Sequence, residues 1–324
     1  DKFNIFTPEE NLIMMNLFNK ILTDMVERES SDIEFGGYGA DGYIWLRTFG
    51  KKERIKEMPQ FTIDEFSILI LNLLTDNQRR YLLVTKNLDF SYTLNYKRKQ
   101  RDVRFRANIY FDFDSLALNM RSISLEVRPM ESLEFHPNVI RVLSHSYIKF
   151  GITLITGITG SGKSSTLDSI IDYHNKFDPC HIIIIASLEV ADTGHKVFST
   201  LHTSSAVESI DRIIAEVHPS EQERVRNRLA DVLTAVVSQK LVPTVNNKLI
   251  LAKEVLIVTP NVKAAIKNNN TGEIYHMITQ GGQLGMITLE QDLKRLYAER
   301  KITIDNAIAY ANNKTRMQQL LSAV

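Results

Sequence analysis

An apolar run, Ile152 to Thr156, leads into Gly157-Ile-Thr-Gly-Ser-Gly-Lys-Ser164, and a helical pattern from Lys163 to Asn175 follows. This strand–loop–helix order, with Gly157 and Gly162 at the spacing G-x-x-x-x-G-K-S, constrains the chain more than any other feature. Glycines let successive N–H groups turn inward around phosphate oxygens, and the helix N-terminus adds its partial positive charge. A chance Gly/Ser loop has no reason to sit between a buried strand and a helix. The expected ligand is a nucleoside triphosphate with Mg²⁺, held by Gly157, Thr159, Gly160, Ser161, Gly162, Lys163, Ser164 and Ser165. Lys163 suits the β and γ phosphates, and the Ser164 hydroxyl suits the metal.

The rest of the composition sets bounds. The 324 residues are 44% hydrophobic and 24% charged, enough for two domains with a real core. A net charge of +1 gives no global attraction to nucleic acid or anionic lipid. With one cysteine, Cys180, neither an internal disulfide nor a multi-cysteine zinc site is available, which fits a reducing compartment. No apolar run approaches a membrane span, and DKFNIFTPEENL lacks the basic and apolar regions of a secretory signal, so the expected location is cytoplasmic.

The first half reads as α+β. Apolar residues at Leu12, Met15, Phe18, Leu22, Met25 and Val26 make one helical stripe, with Thr7 as N-cap, Pro8 in the first turn and Glu9 and Glu10 behind it. Short strands are expected between Ser31 and Ile55, a helical stretch over Ile63 to Asp76, then strands at Leu88 to Leu94, Phe105 to Phe111 and Ser122 to Val127. The basic run YKRKQRDVRFR between two of these reads as a solvated hairpin. Two prolines, Pro129 and Pro137, mark the expected boundary. The second half alternates strands and helices, the rhythm of a mostly parallel sheet. Its expected elements include strands at His181 to Ile185, Val197 to Leu201 and Leu249 to Val258, and helices at Pro219 to Leu241 and Thr288 to Glu299.

Hydrolysis needs more than a phosphate loop: a carboxylate for Mg²⁺, a group that activates water, and usually an arginine. The acid nearest to the HIIII run is Glu189, whose helical context favours a surface charge. His195 precedes the Val197–Leu201 strand and His202 follows it, where α/β sheets place ligand loops; a role in sensing the γ-phosphate is weighed for His202 against a structural histidine.

The chain resembles the secretion-ATPase superfamily, and within it the type IV pilus retraction ATPases, the PilT family. The resemblance runs through SSDIEF from Ser30, DFS at Asp89, RFRAN at Arg104, ITGITGSGKSST, TGHKVFSTLHTSSA, SIDRII, VVSQKLV, EVLIVTP and QGGQLGMITLEQDL. It implies a PAS-like N-terminal domain over 1–130, a linker to about 137, and a RecA-like P-loop ATPase domain over 138–324. It further implies an ATP-hydrolysing homohexamer at the inner face of the cell membrane, powering pilus retraction and meeting the membrane only through partners such as the pilus inner-membrane platform protein. His195 and His202 match the family's His box. Arg106 and Arg121 match the arginines that reach the nucleotide phosphates in such rings, with Arg104 a weaker match. A guanidinium suits that task because it is always charged and binds phosphate bidentately. One cysteine and a short N-terminal domain argue against the assembly and type II secretion ATPases, which often carry a four-cysteine zinc module. The balanced charge argues against a nucleic-acid translocase.

The chain also departs from the family pattern. The acidic box expected after HIIII and the later strand ending in Gly-Glu are absent, and the sequence passes directly from Ile185 to Ala186. A RecA-like sheet without its central strands should not fold, so the junction implies residues that this sequence omits. A genuine deletion implies instead a nucleotide-binding subunit that does not hydrolyse. The family's AIRNLIRE motif appears as NVKAAIKN, with Lys263 and Lys267 in place of arginines.

Overall fold

The computed structural model describes residues 6–96, 101–123, 127–178 and 195–322. The chain divides into two compact units, Asp1–Glu126 and Val127–Val324. Cys180, the expected strand at His181 to Ile185, Glu189 and the Ile185–Ala186 junction lie outside the described residues.

In the first unit, helix α1 (Pro8–Glu27) opens on a full capping box, Thr7 with Glu10, and buries Phe18, Ile21, Leu22 and Met25. Leu12, expected in the buried stripe, is 60% exposed. Strands β1 (Ser30–Gly36), β2 (Trp45–Thr48) and β3 (Lys51–Arg54) precede α2 (Ile63–Leu71) and α3 (Asp76–Thr85). Strands β4 (Asn87–Tyr96), β5 (Arg101–Asp112) and β6 (Ser115–Ile123) follow. They form one antiparallel sheet in the order β3-β2-β1-β6-β5-β4. Phe18 joins helix to sheet, its ring 5.7 Å from Phe35 and edge-on to Tyr92 at 5.4 Å.

Two expectations change in this unit. The helical stretch ends at Leu71, and a separate α3 starts behind Thr75, whose side chain and Gln78 form another capping box. The last strand begins at Ser115, earlier than expected, because Phe113 takes a positive φ of 53° and closes a tight turn between β5 and β6.

The second unit begins with α4 (Pro137–Leu143) and carries β7 (Gly151–Thr156), α5 (Lys163–Phe177), β8 (Lys196–Leu201), α6 (Ala206–Ala215), α7 (Gln222–Val232), β9 (Leu233–Pro243) and β10 (Leu249–Ile257). Helices α8 (Pro260–Lys267), α9 (Ile274–Gln280), α10 (Leu289–Ala298), α11 (Ile304–Tyr310) and α12 (Lys314–Ser322) complete it. The sheet order is β10-β9-β7-β8, with β7 parallel to both neighbours and β10 antiparallel to β9. All six residues of β7 are buried, as expected of a strand covered on both faces. On one face Leu154, Val236 and Leu256 pack with Ile210, Val262 and Ile278. On the other Ile155, Val237 and Val255 pack with Leu167, Ile170 and Phe135.

The helix expected over Pro219 to Leu241 stops at Val232, and Leu233 onward is strand β9. The stretch LTAVVSQKLV is rich in β-branched residues, and its place beside β7 buries it on both faces; tertiary burial overrides the helical pattern that precedes it. Among the described residues no helix is long and apolar enough to cross a membrane.

Candidate nucleotide site

Strand β7 delivers the chain to the phosphate loop. Gly157 has a φ of 150°, and a Cβ there would lie 2.3 Å from Ser161 Oγ and 2.5 Å from the Gln239 carbonyl oxygen, so only glycine fits. Gly162 caps α5 in the left-handed region at φ 86°, with no side chain bonded to the first helical turn. The N–H groups at the start of α5 are therefore available to an anion. Lys163 Nζ donates to the carbonyl oxygens of Gly157 (2.7 Å) and Ile158 (3.0 Å), folded back over the loop. Partial burial lowers its pKa from the ordinary lysine value. Phosphate oxygens arriving at the loop would take over these N–H bonds and restore a full counter-charge.

The loop is braced from the neighbouring strand. Thr156 pairs with Ser238 in the β7–β9 register, their hydroxyls 2.7 Å apart. One residue on, Gln239 Nε2 donates to the Ser161 carbonyl oxygen at 2.7 Å. Ser161 Oγ and Gln239 Oε1 are buried without partners among the described residues. Two orphaned polar atoms beside a cradle of free N–H groups fit a site built for a polar ligand. Ser164 is exposed on the first turn of α5, positioned for a metal ligand. No group of three His, Cys, Asp or Glu side chains able to hold a metal occurs among the described residues.

The two histidines separate. Leu201 pairs with Thr156, and the Gly157 N–H donates to the Leu201 carbonyl oxygen at 3.2 Å, so His202 emerges directly beside the root of the loop. His195 stands at the opposite end of β8, where its carbonyl oxygen accepts from the Gly151 N–H. The length of the strand, roughly 20 Å at about 3.3 Å per residue, keeps it from the phosphate loop.

The segment after His202 is fixed on several sides. Arg212 Nη1 donates to the His202 carbonyl oxygen (2.8 Å), Asn312 Nδ2 to that of Ser204 (2.9 Å), and the Ala206 N–H to Glu254 Oε1 (2.7 Å). Glu254, on β10, is 2% exposed. Burial pushes its carboxyl up to about 7, and the nearby Glu290 adds to the rise; the N–H groups of Ala206 and Leu289 and the Lys240 charge oppose it.

In the first unit, Arg106 on β5 stands directly opposite Arg121 on β6, with Arg104 two residues before Arg106 on the same exposed face. Like charges facing each other across strands cost stability. Arg121 is partly offset by Asp32, whose Oδ1 accepts from its Nε at 2.6 Å, yet its side chain is 70% exposed. The pair sets two positive charges side by side on an exposed face of the sheet. Lys263 and Lys267, in the NVKAAIKN segment, both reach Asp231 at the end of α7, by its carbonyl oxygen and its carboxylate respectively.

Gln239, Glu254 and Asn312 went unnoticed in the sequence. With Leu233 to Leu241 read as helix, nothing set Gln239 next to the loop, and Glu254 and Asn312 are distant from it along the chain.

Comparison with known proteins supplies the context. Residues 181–321 match the family model described as Type II/IV secretion system protein. The chain is 28% identical to a twitching motility protein of Neisseria gonorrhoeae over 84% of its length and 85% of the relative's. It is 29% identical to the type IV pilus retraction ATPase PilT of Pseudomonas aeruginosa, over 81% of this chain and 89% of that protein. The solved structure of the pilus retraction motor PilT with bound ADP superposes with a TM-score of 0.73 at 26% identity, covering 93% of this chain and 98% of the other. Taken with the phosphate loop and the segment around His202, these likenesses make the chain similar to the PilT-family secretion ATPases.

Proposed function

We propose that the chain is an ATP-hydrolysing motor subunit of a type IV pilus machine, acting in retraction. The observation that carries this reading is the phosphate loop: an uncapped α5 N-terminus, a glycine at 157 where no Cβ fits, and Lys163 held over the loop by two carbonyl oxygens. ATP is held with its phosphates in this cradle and Mg²⁺ on Ser164. When bound, the metal neutralises charge on the β and γ phosphates. Lys163 binds the same phosphates, and His202 stands beside the loop as a sensor of the γ-phosphate. Arg106 and Arg121, which no partner among the described residues fully neutralises, serve a nucleotide held by a neighbouring copy in a homohexamer. The first unit is the PAS-like domain of such a ring and the second the RecA-like one. The ring works at the inner face of the cell membrane through the pilus platform protein, without nucleic acid. The names of the pilus relatives and the ADP in the PilT structure support this reading.

A second reading has its own observation. The sequence holds neither an acidic box nor an apolar strand ending in Gly-Glu directly after HIIII. On this reading the subunit binds nucleotide and does not hydrolyse it. Mixed-subunit kinetics separates the two. The motor reading expects turnover that Arg106→Ala or Arg121→Ala abolishes, with partial recovery when either is mixed with Lys163→Ala subunits. An intact oligomer that binds ATP without turnover would leave only the second reading.

A further inference from the structure

A cavity of about 460 Å³ lies on the α5 face of the second unit, away from the phosphate loop and lined by residues that the nucleotide reading does not use. Its walls include Phe135, Val255, Met286, Lys253 and Arg295. The volume falls in the range of small-molecule sites. The rim is closely built: a Cβ on Gly285, at φ 91°, would lie 2.9 Å from His136 Nδ1.

The polar bonds of this wall leave donors over. Asp292 is fully buried and both its oxygens are engaged, Oδ2 by the Lys253 backbone N–H (2.9 Å) and Oδ1 by Arg295 Nε (2.8 Å). Glu134 accepts from Arg295 Nη1 and from Lys301, both at 2.9 Å. Lys253, by contrast, is only 5% exposed, and its ammonium makes no hydrogen bond or ion pair among the described residues. It lies 5.6 Å from the centre of the Phe135 ring. Arg295 Nη2 is also buried without a partner among the described residues. An ammonium set in an apolar wall without a contacting carboxylate is costly, and the cost falls when an anion reaches it.

We propose that this cavity binds a small organic carboxylate, its anionic head on Lys253 Nζ beside the Arg295 charge and its apolar body against Phe135, Val255 and Met286. The excess of donors over acceptors selects an anion, and the apolar lining selects a hydrocarbon body over a bare phosphate. Burial lowers the Lys253 pKa, with the Arg295 and Lys301 charges acting the same way and Asp292 and Glu134 opposing; His136 also faces the cavity. A carboxylate bound there favours the ammonium form, so binding at alkaline pH takes up protons.

The test is calorimetric titration of the full chain with benzoate, with benzamide of the same shape, and with inorganic phosphate. The expected result is saturable benzoate binding, at least tenfold tighter than either benzamide or phosphate. It falls at least tenfold in Lys253→Met, and is unchanged in Lys163→Ala, which disables the phosphate loop instead. Wild-type protein titrated in two buffers of different ionisation enthalpy should show net proton uptake, a readout independent of how Lys253→Met folds. Equal affinity for benzoate and benzamide, benzoate binding lost in Lys163→Ala, unchanged binding in a folded Lys253→Met, or no proton uptake in the wild type would each overturn the proposal.

Discussion

Glu254 offers a stability switch whose sign follows from the structure. Its carboxyl moves from an ordinary value of 4.5 to about 7 in the folded chain. The native state thus holds its proton over a pH range in which the unfolded chain has lost it. Stability from this group is fully present below about pH 4.5, falls as pH rises, and is lost above about pH 7. At about 1.4 kcal/mol per unit, the loss is roughly 3 kcal/mol. Glu254→Gln keeps an oxygen for the Ala206 N–H and removes the charge. Near pH 4 the variant should match the wild type; near pH 8 its Val127–Val324 unit should be more stable by about 3 kcal/mol, or roughly 6–12 °C in melting temperature. Scanning calorimetry reads this, and fluorescence of Trp45, the single tryptophan, identifies the transition of the other unit. An equal shift at both pH values, or a variant less stable at high pH, would refute the assignment of Glu254 as a buried acid that resists ionisation.

Two further predictions probe the brace and the first core. Gln239→Leu leaves the Ser161 carbonyl oxygen without its donor, at about 1–3 kcal/mol, and affinity for a fluorescent ATP analogue should fall roughly tenfold or more; unchanged affinity would remove Gln239 from the site. Phe18→Ala empties the junction of α1 and the sheet and should destabilise the first unit by about 3–5 kcal/mol, read as an earlier Trp45 transition in urea.

Local signals were legible in the sequence wherever they were strong and short-ranged. The N-cap at Thr7, the entry strand Ile152–Thr156 and the Gly157–Ser164 loop could be read directly, because each depends on neighbours in the chain. What escaped depends on distant neighbours. Strand β9 followed a good helix without a proline or glycine stop, and only its place beside β7 makes it a strand. Gln239 and Glu254 took on meaning once that register was known. The His195 and His202 pair shows the same limit: a seven-residue spacing puts them together in the sequence and at opposite ends of one strand in the fold.

Steady-state phosphate release from Mg-ATP by the purified full chain, alongside Lys163→Ala, tests the central claim most directly. The account predicts turnover by the wild type that Lys163→Ala abolishes together with ATP binding. Wild-type protein that binds ATP at this loop, assembles with itself and releases no phosphate would contradict the motor.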